Sequence, residues 1–180
     1  AAFTWARISI VWLTFWAGAA FVAGARDCSD GIASCRGVSV AALDAATVYA
    51  GTADGLYVSR DSGESWSAVG TALQGLSVRA VYLSSVDPNH LVVGTYGDGV
   101  LRSFDGGSSW ATASIGLNPP QVRSLAADEA NPDVMFAATS TGGFFRTKDG
   151  GETWEHVLFV DENTGASSLE MDPNNPRILF

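Results

Sequence analysis

Beyond about residue 37 the chain alternates short apolar runs with clusters of turn residues, and no stretch sustains the 3.6-residue apolar period of an amphipathic helix. The middle of the chain shows the pattern clearly. "VRAVYLSS" (Val78 to Ser85) predicts a first strand, stopped by Asp87-Pro88-Asn89. "HLVVGTY" predicts a second, almost continuously apolar, as expected of a strand covered on both faces. Gly97-Asp98-Gly99 turns it into "VLRSF", and Asp105-Gly106-Gly107 leads into "SWATAS".

The same order recurs along the chain. "SRDSGESW" (Ser59 to Trp66), "SFDGGSSW" (Ser103 to Trp110) and "TKDGGETW" (Thr147 to Trp154) place Asp61, Asp105 and Asp149 at intervals of 44 residues. Six residues ahead of each stands Gly55, Gly99 or Gly143, and Thr52, Thr95 and Thr139 close the preceding apolar runs. Pro88, Pro132 and Pro176 repeat at the same interval, as do Arg79 and Arg123. Four short strands in a unit of this length predict a β-propeller blade. The fold class is therefore all-β: a propeller of four-stranded antiparallel blades, with three blades and the start of a fourth.

The polar box is read as a turn that folds itself. Asp61, Asp105 and Asp149 accept hydrogen bonds from nearby backbone N–H groups. Gly63, Gly107 and Gly151 suit a positive φ. Trp66, Trp110 and Trp154 bury their rings between blades, each with an N–H for a carbonyl. Ser103 or Thr147 is expected to bond across the hairpin. These roles are structural.

Ser/Thr-x-Asp-x-Gly-x-Ser/Thr-Trp in three registered copies resembles the Asp-box, or BNR, repeat. Asp-box propellers include sialidases, xyloglucan-degrading endoglucanases, sortilin-type receptors and photosystem II assembly factors. "VYAGT…GLYVSRDSGESW" and "DPNNPRILF" are most similar to the xyloglucanase, sortilin and assembly-factor branch. The resemblance implies boxes at the edge, away from ligand sites, and hence a fold rather than an activity. It also implies more blades than this chain carries, so the expectation is a piece of a longer protein.

Composition narrows the rest. The 180 residues are 47% hydrophobic and 16% charged, with a formal net charge of −9. Lys148 is the lone lysine and no basic stripe exists, which argues against nucleic acid. Residues 1–25 differ in kind: Arg7 precedes an uncharged apolar run from Ile8 to Ala25, ending in Ala23-Gly24-Ala25. That pattern predicts a cleavable signal peptide, with a retained membrane anchor as the alternative. As a helix the run spans only about 27 Å, near the minimum for a bilayer. Either way the product is expected outside the cytoplasm, secreted or periplasmic, and on a membrane only if the segment is kept. In the linker 26–37, Cys28 and Cys35 predict a disulfide, its short loop contributing about 2–3 kcal/mol at most. Residues 38–180 form the propeller region.

Candidate chemistry is sparse. The resemblance to sialidases implies an Arg-Ile-Pro motif ahead of the first box, and none is present. The recurring arginines, Arg79 with Arg123 and Arg102 with Arg146, read as inter-blade hydrogen bonders. The resemblance to xyloglucanases implies a first-blade aspartate in a Thr-Asp-x-Gly-Gly turn. Thr52-Ala53-Asp54-Gly55 approximates it, with the aspartate one place late and one glycine missing. Asp54 is the sole catalytic candidate, and because an inverting or retaining hydrolase needs two opposed carboxyl groups its partner is expected beyond Phe180. Asp98 holds the same repeat position, and Tyr96 beside it offers a ring to a sugar or peptide. These two are the binding candidates, on a face shared with Thr141, "SIGLNPPQ" (Ser114 to Gln121) and "DENTG" (Asp161 to Gly165). His90 and His156 are read as solvated. No metal site and no cofactor are implied. The expected role is a non-catalytic scaffold or interaction module for a protein or glycan. The alternatives are the first part of a secreted glycoside hydrolase and a membrane-associated assembly factor.

Overall fold

The computed structural model describes residues 39–158 apart from 119 and 129, together with 169, 171–172 and 175–179. The N-terminal apolar run, both cysteines and 161–165 lie outside the described residues. The first unit is β1 (Ser39–Ala42), β2 (Val48–Thr52), β3 (Gly55–Ser59) and β4 (Ser67–Ala68). The second is β5 (Val78–Leu83), β6 (Leu91–Thr95), β7 (Val100–Ser103) and β8 (Ala111–Thr112). The third is β9 (Val122–Asp128), β10 (Asn131–Thr139), β11 (Gly143–Thr147) and β12 (Glu155–Leu158). Each unit is a four-stranded antiparallel sheet with its strands in chain order, as the repeat predicts. A pair, β13 (Met171–Asp172) and β14 (Asn175–Leu179), follows. The first strands of successive sheets contact one another, so they form the inner wall of a propeller.

The second strand of each blade explains its own sequence. Successive side chains on a strand point to opposite faces. On β6, Leu91 and Val93 enter a core with Tyr49, Leu56 and Val58 of the first blade. Val92 enters another, with Val122, Met135, Phe145 and Trp154 of the third. Both faces are covered, and every residue of β6 is buried. At roughly 25 cal/mol per Å² of apolar surface removed from water, these inter-blade layers stabilise the array.

Gly94 serves the same seam: a Cβ there would lie 2.5 Å from Val122 Cγ1, on the inner strand of the next blade. Gly51 approaches Val78 Cγ1 in the same way, at 2.7 Å. The repeating prolines do not share one setting. Pro88 sits in a turn, but Pro132 and Pro176 lie inside β10 and β14. In β10 the ladder jumps from Asn131 to Met135, so Pro132 falls in an irregularity where no ladder N–H is required.

Candidate functional site

Three hairpins between second and third strands share one construction. Thr52, Thr95 and Thr139 donate through Oγ1 to the carbonyls of Gly55, Gly99 and Gly143, at 3.0, 2.9 and 3.2 Å. The same oxygens accept from the backbone N–H groups of Asp54, Asp98 and Gly142. The turn therefore uses the aspartates' backbone and not their carboxylates, which is why glycine can replace them in the third unit. Asp54 and Asp98 are both exposed.

The structure brings part of the expected face together. Tyr96, 47% exposed, donates its N–H to Ser77 O at 2.8 Å and pairs with Gln121 as a β-bridge. Gly99 N–H donates to Pro120 O, and Ser140 N–H to Gln121 O. The loop ending at Gln121 thus ties the Tyr96–Asp98 turn to the neighbouring blade, next to exposed Thr141. Asp54 belongs to a separate turn, held where Gly75 N–H donates to its carbonyl.

Two of the recurring arginines, Arg79 and Arg123, stand at this end in a setting that the sequence does not reveal. In the β5–β6 ladder Val78 pairs with Thr95 and Ala80 with Gly94, so Arg79 is the extra residue of a β-bulge. In the β9–β10 ladder Val122 pairs with Thr139 and Ser124 with Ala138, so Arg123 is the extra residue there. A bulge re-aims its side chain, and here it does so at the same repeat position on two inner strands. The Arg79 guanidinium lies 5.5 Å from the Tyr96 ring centroid, with Nε donating to Ser77 Oγ at 3.0 Å. Arg123 is exposed. The inter-blade role expected for the arginines is seen at Arg102, which donates to Asp149 O and Gly150 O of the next blade. Arg146 instead pairs with Glu155 in its own blade at 3.2 Å.

Each Asp-box closes on itself through hydrogen bonds, and one expectation is corrected. Ser59, Ser103 and Thr147 bond within the box and not across the hairpin. Each donates to Oδ1 of its aspartate, at 2.7, 2.8 and 2.6 Å. Each accepts from the aspartate N–H and from Gly63, Gly107 or Gly151 N–H. The carboxylates also accept from the N–H and hydroxyl of Ser65, Ser109 and Thr153. The hydroxyls of Ser65 and Ser109 lead the bonds that lower Asp61 and Asp105 to about 2. At Asp149 burial pushes the other way, but bonds from Thr147 and Thr153 outweigh it and the value is again about 2. Gly107 has φ 91°, and a Cβ on it would meet Val69 Cγ1 at 2.3 Å. Trp154 donates to Gly151 O and to Ala113 O of the preceding blade.

His90 is also corrected: it is 6% exposed and stacks on Phe104, centroids 4.5 Å apart. A side chain fourteen residues downstream covers it, which a local reading of the turn does not reveal. His156 is exposed, its Nε2 2.7 Å from Gly142 O.

Residues 54–164 match the Sortilin-Vps10 family model (sortilin, neurotensin receptor 3). Among solved structures, an ancestral GH74 enzyme matches with TM-score 0.67 and 21% identity over 81% of this chain and 22% of that one. The Niastella koreensis GH74 enzyme matches with TM-score 0.59 and 19% identity, over 73% and 24%. YCF48 bound to D1 peptide matches with TM-score 0.56 and 20% identity, over 74% and 44%. The chain spans about a fifth to under half of these structures, and at such identities the likeness is one of fold. No curated protein matches the chain in sequence.

Proposed function

Because the chain belongs to the Sortilin-Vps10 family, we propose that it is a binding module which holds a protein or glycan partner and performs no chemistry itself. The observation that carries this reading is the pair of bulge arginines, Arg79 and Arg123, with the exposed Tyr96 ring beside the first. Guanidinium groups suit carboxylate-bearing peptides or acidic sugars, and an exposed tyrosine adds a stacking surface. YCF48 has been solved with a peptide bound, which supports a peptide among the ligands to try first. The apolar run before Ala25 supports work outside the cytoplasm, with or without a membrane tether.

Immobilised full chain is expected to retain a partner from the exported fraction. An Arg79→Ala/Arg123→Ala variant with an unchanged melting temperature should retain it at least about a hundredfold less, since charge-assisted hydrogen bonds contribute roughly 1.5–3 kcal/mol each. Undiminished retention would remove this face from consideration.

A glycoside hydrolase is the second reading, favoured by one observation: the exposed Asp54 carboxylate is not consumed by its turn. In that case a protein that contains this chain together with a second, opposed carboxyl group hydrolyses a xyloglucan-type polymer, and Asp54→Asn abolishes the activity. No release of reducing ends leaves the binding module standing.

A further inference from the structure

The 44-residue register allows one seam between blades to be compared with the next, position by position. At the seam between the second and third blades, Arg102 on β7 crosses to the box of the third blade. Its guanidinium donates to Asp149 O and Gly150 O, both at 3.4 Å, and Nη2 lies 3.7 Å from Glu152. The side chain is only 18% exposed, and Phe104 lies beside it, 5.3 Å from Cζ to the ring centroid. Trp154 closes the seam from the other side and is 4% exposed.

At the seam between the first and second blades both members of the ion pair are missing. Val58 stands where Arg102 stands, and Ser108 where Glu152 stands. A cleft of about 170 Å³ opens there, lined by Val58, Arg60, Ser67, Gly106, Gly107 and Ser108. The carbonyls matching those bound by Arg102 are those of Asp105, which already accepts from the Ser108 hydroxyl at 3.1 Å, and of Gly106, which lies in the cleft wall. Trp110, less buried than Trp154, bonds its own box at Gly107 O.

We propose that this cleft receives the guanidinium of an arginine presented by a partner protein. The occupant's chemistry is given by the chain itself: one blade on, the equivalent walls hold an arginine through box carbonyls, with an acidic neighbour that this cleft lacks. A carbonyl and a hydroxyl suit a cationic donor. The net charge of −9 favours the approach of a basic partner. Arg60, at the position of Phe104, is the one opposing charge among the described residues of the lining. It is exposed on a flexible stem, so it can swing to solvent as the incoming group docks. The site lies on the outer seam and does not depend on the Arg79–Tyr96 face.

The test is titration of the 180-residue chain with N-acetyl-arginine methylamide, followed by the amide resonances of Gly106, Gly107 and Ser108. Saturable shifts are expected, with the neutral citrulline counterpart about tenfold weaker because its hydrogen bonds lose their charge. Val58→Arg supplies the missing side chain in cis and should abolish binding. Ser108→Glu, on an exposed position, supplies the missing acid and should tighten binding about two- to threefold. The proposal is overturned if the resonances do not move, if citrulline binds equally, or if acetate displaces arginine and Arg60→Ala removes the response. It is equally overturned if a folded Val58→Arg chain binds like the parent, or if Ser108→Glu weakens binding.

Discussion

A single hydroxyl organises each box. Ser103 donates to Asp105 and accepts from two backbone N–H groups while being 2% exposed. Alanine there would strand the buried Gly107 N–H, a loss of about 1–3 kcal/mol in stability. The urea midpoint of Ser103→Ala should fall accordingly, with an unchanged slope. Ser103→Thr copies Thr147 of the third box, whose hydroxyl makes the same bonds. It should stay within about 0.5 kcal/mol of the parent. Equal losses for alanine and threonine would mean that packing, and not the hydroxyl, holds the box.

At the scale of the strand, the close approach of neighbouring blades sets the limits. The chain ends β2 and β6 with Gly-Thr, and each glycine leaves room for a valine of the next inner strand. Gly94→Ala would place a Cβ 2.5 Å from Val122 Cγ1 and 3.0 Å from its Cβ, so the inner strand must shift. The expected cost is roughly 1–3 kcal/mol, as for other overpacked cores. Val122→Ala in the same chain should recover part of it, and a double-mutant cycle reads the coupling directly. Additive losses would show that the two blades relax independently. The third blade has Ala138 at this position, packed with Leu169, so the constraint belongs to the valine opposite and not to the repeat as such.

The whole molecule was legible wherever the cause was local and repeated. Turn glycines, box hydroxyls and the two-faced apolar runs each carry their reason within a few residues, so blade and strand order followed from the register. Arg79 and Arg123 were counted correctly as repeating, yet their position on bulges is a property of the ladder and not of their neighbours in sequence. His90 escaped for the same reason, because its cover comes from Phe104. That burial has a consequence for the entire fold. Among the described residues His90 Nε2 has no hydrogen-bond partner, and burial lowers the ring's pKa below its ordinary 6.5. Asp87 and Asp133 pull it up and Arg102 pushes it down, but burial outweighs them. The unfolded chain then binds the proton more readily, so this contribution is complete above about pH 6.5 and is lost as pH falls below it. The box aspartates, lowered from 3.8 to about 2, contribute fully above 3.8 and lose that stability as pH falls through about 2. Urea midpoints should therefore hold steady above about pH 7, decline from about 6.5, and decline again below about 4. His90→Phe, which keeps the stack on Phe104, should flatten the first decline and leave the second. A parent chain with no decline between about pH 6.5 and 4 would mean that the imidazole keeps a polar partner at every pH.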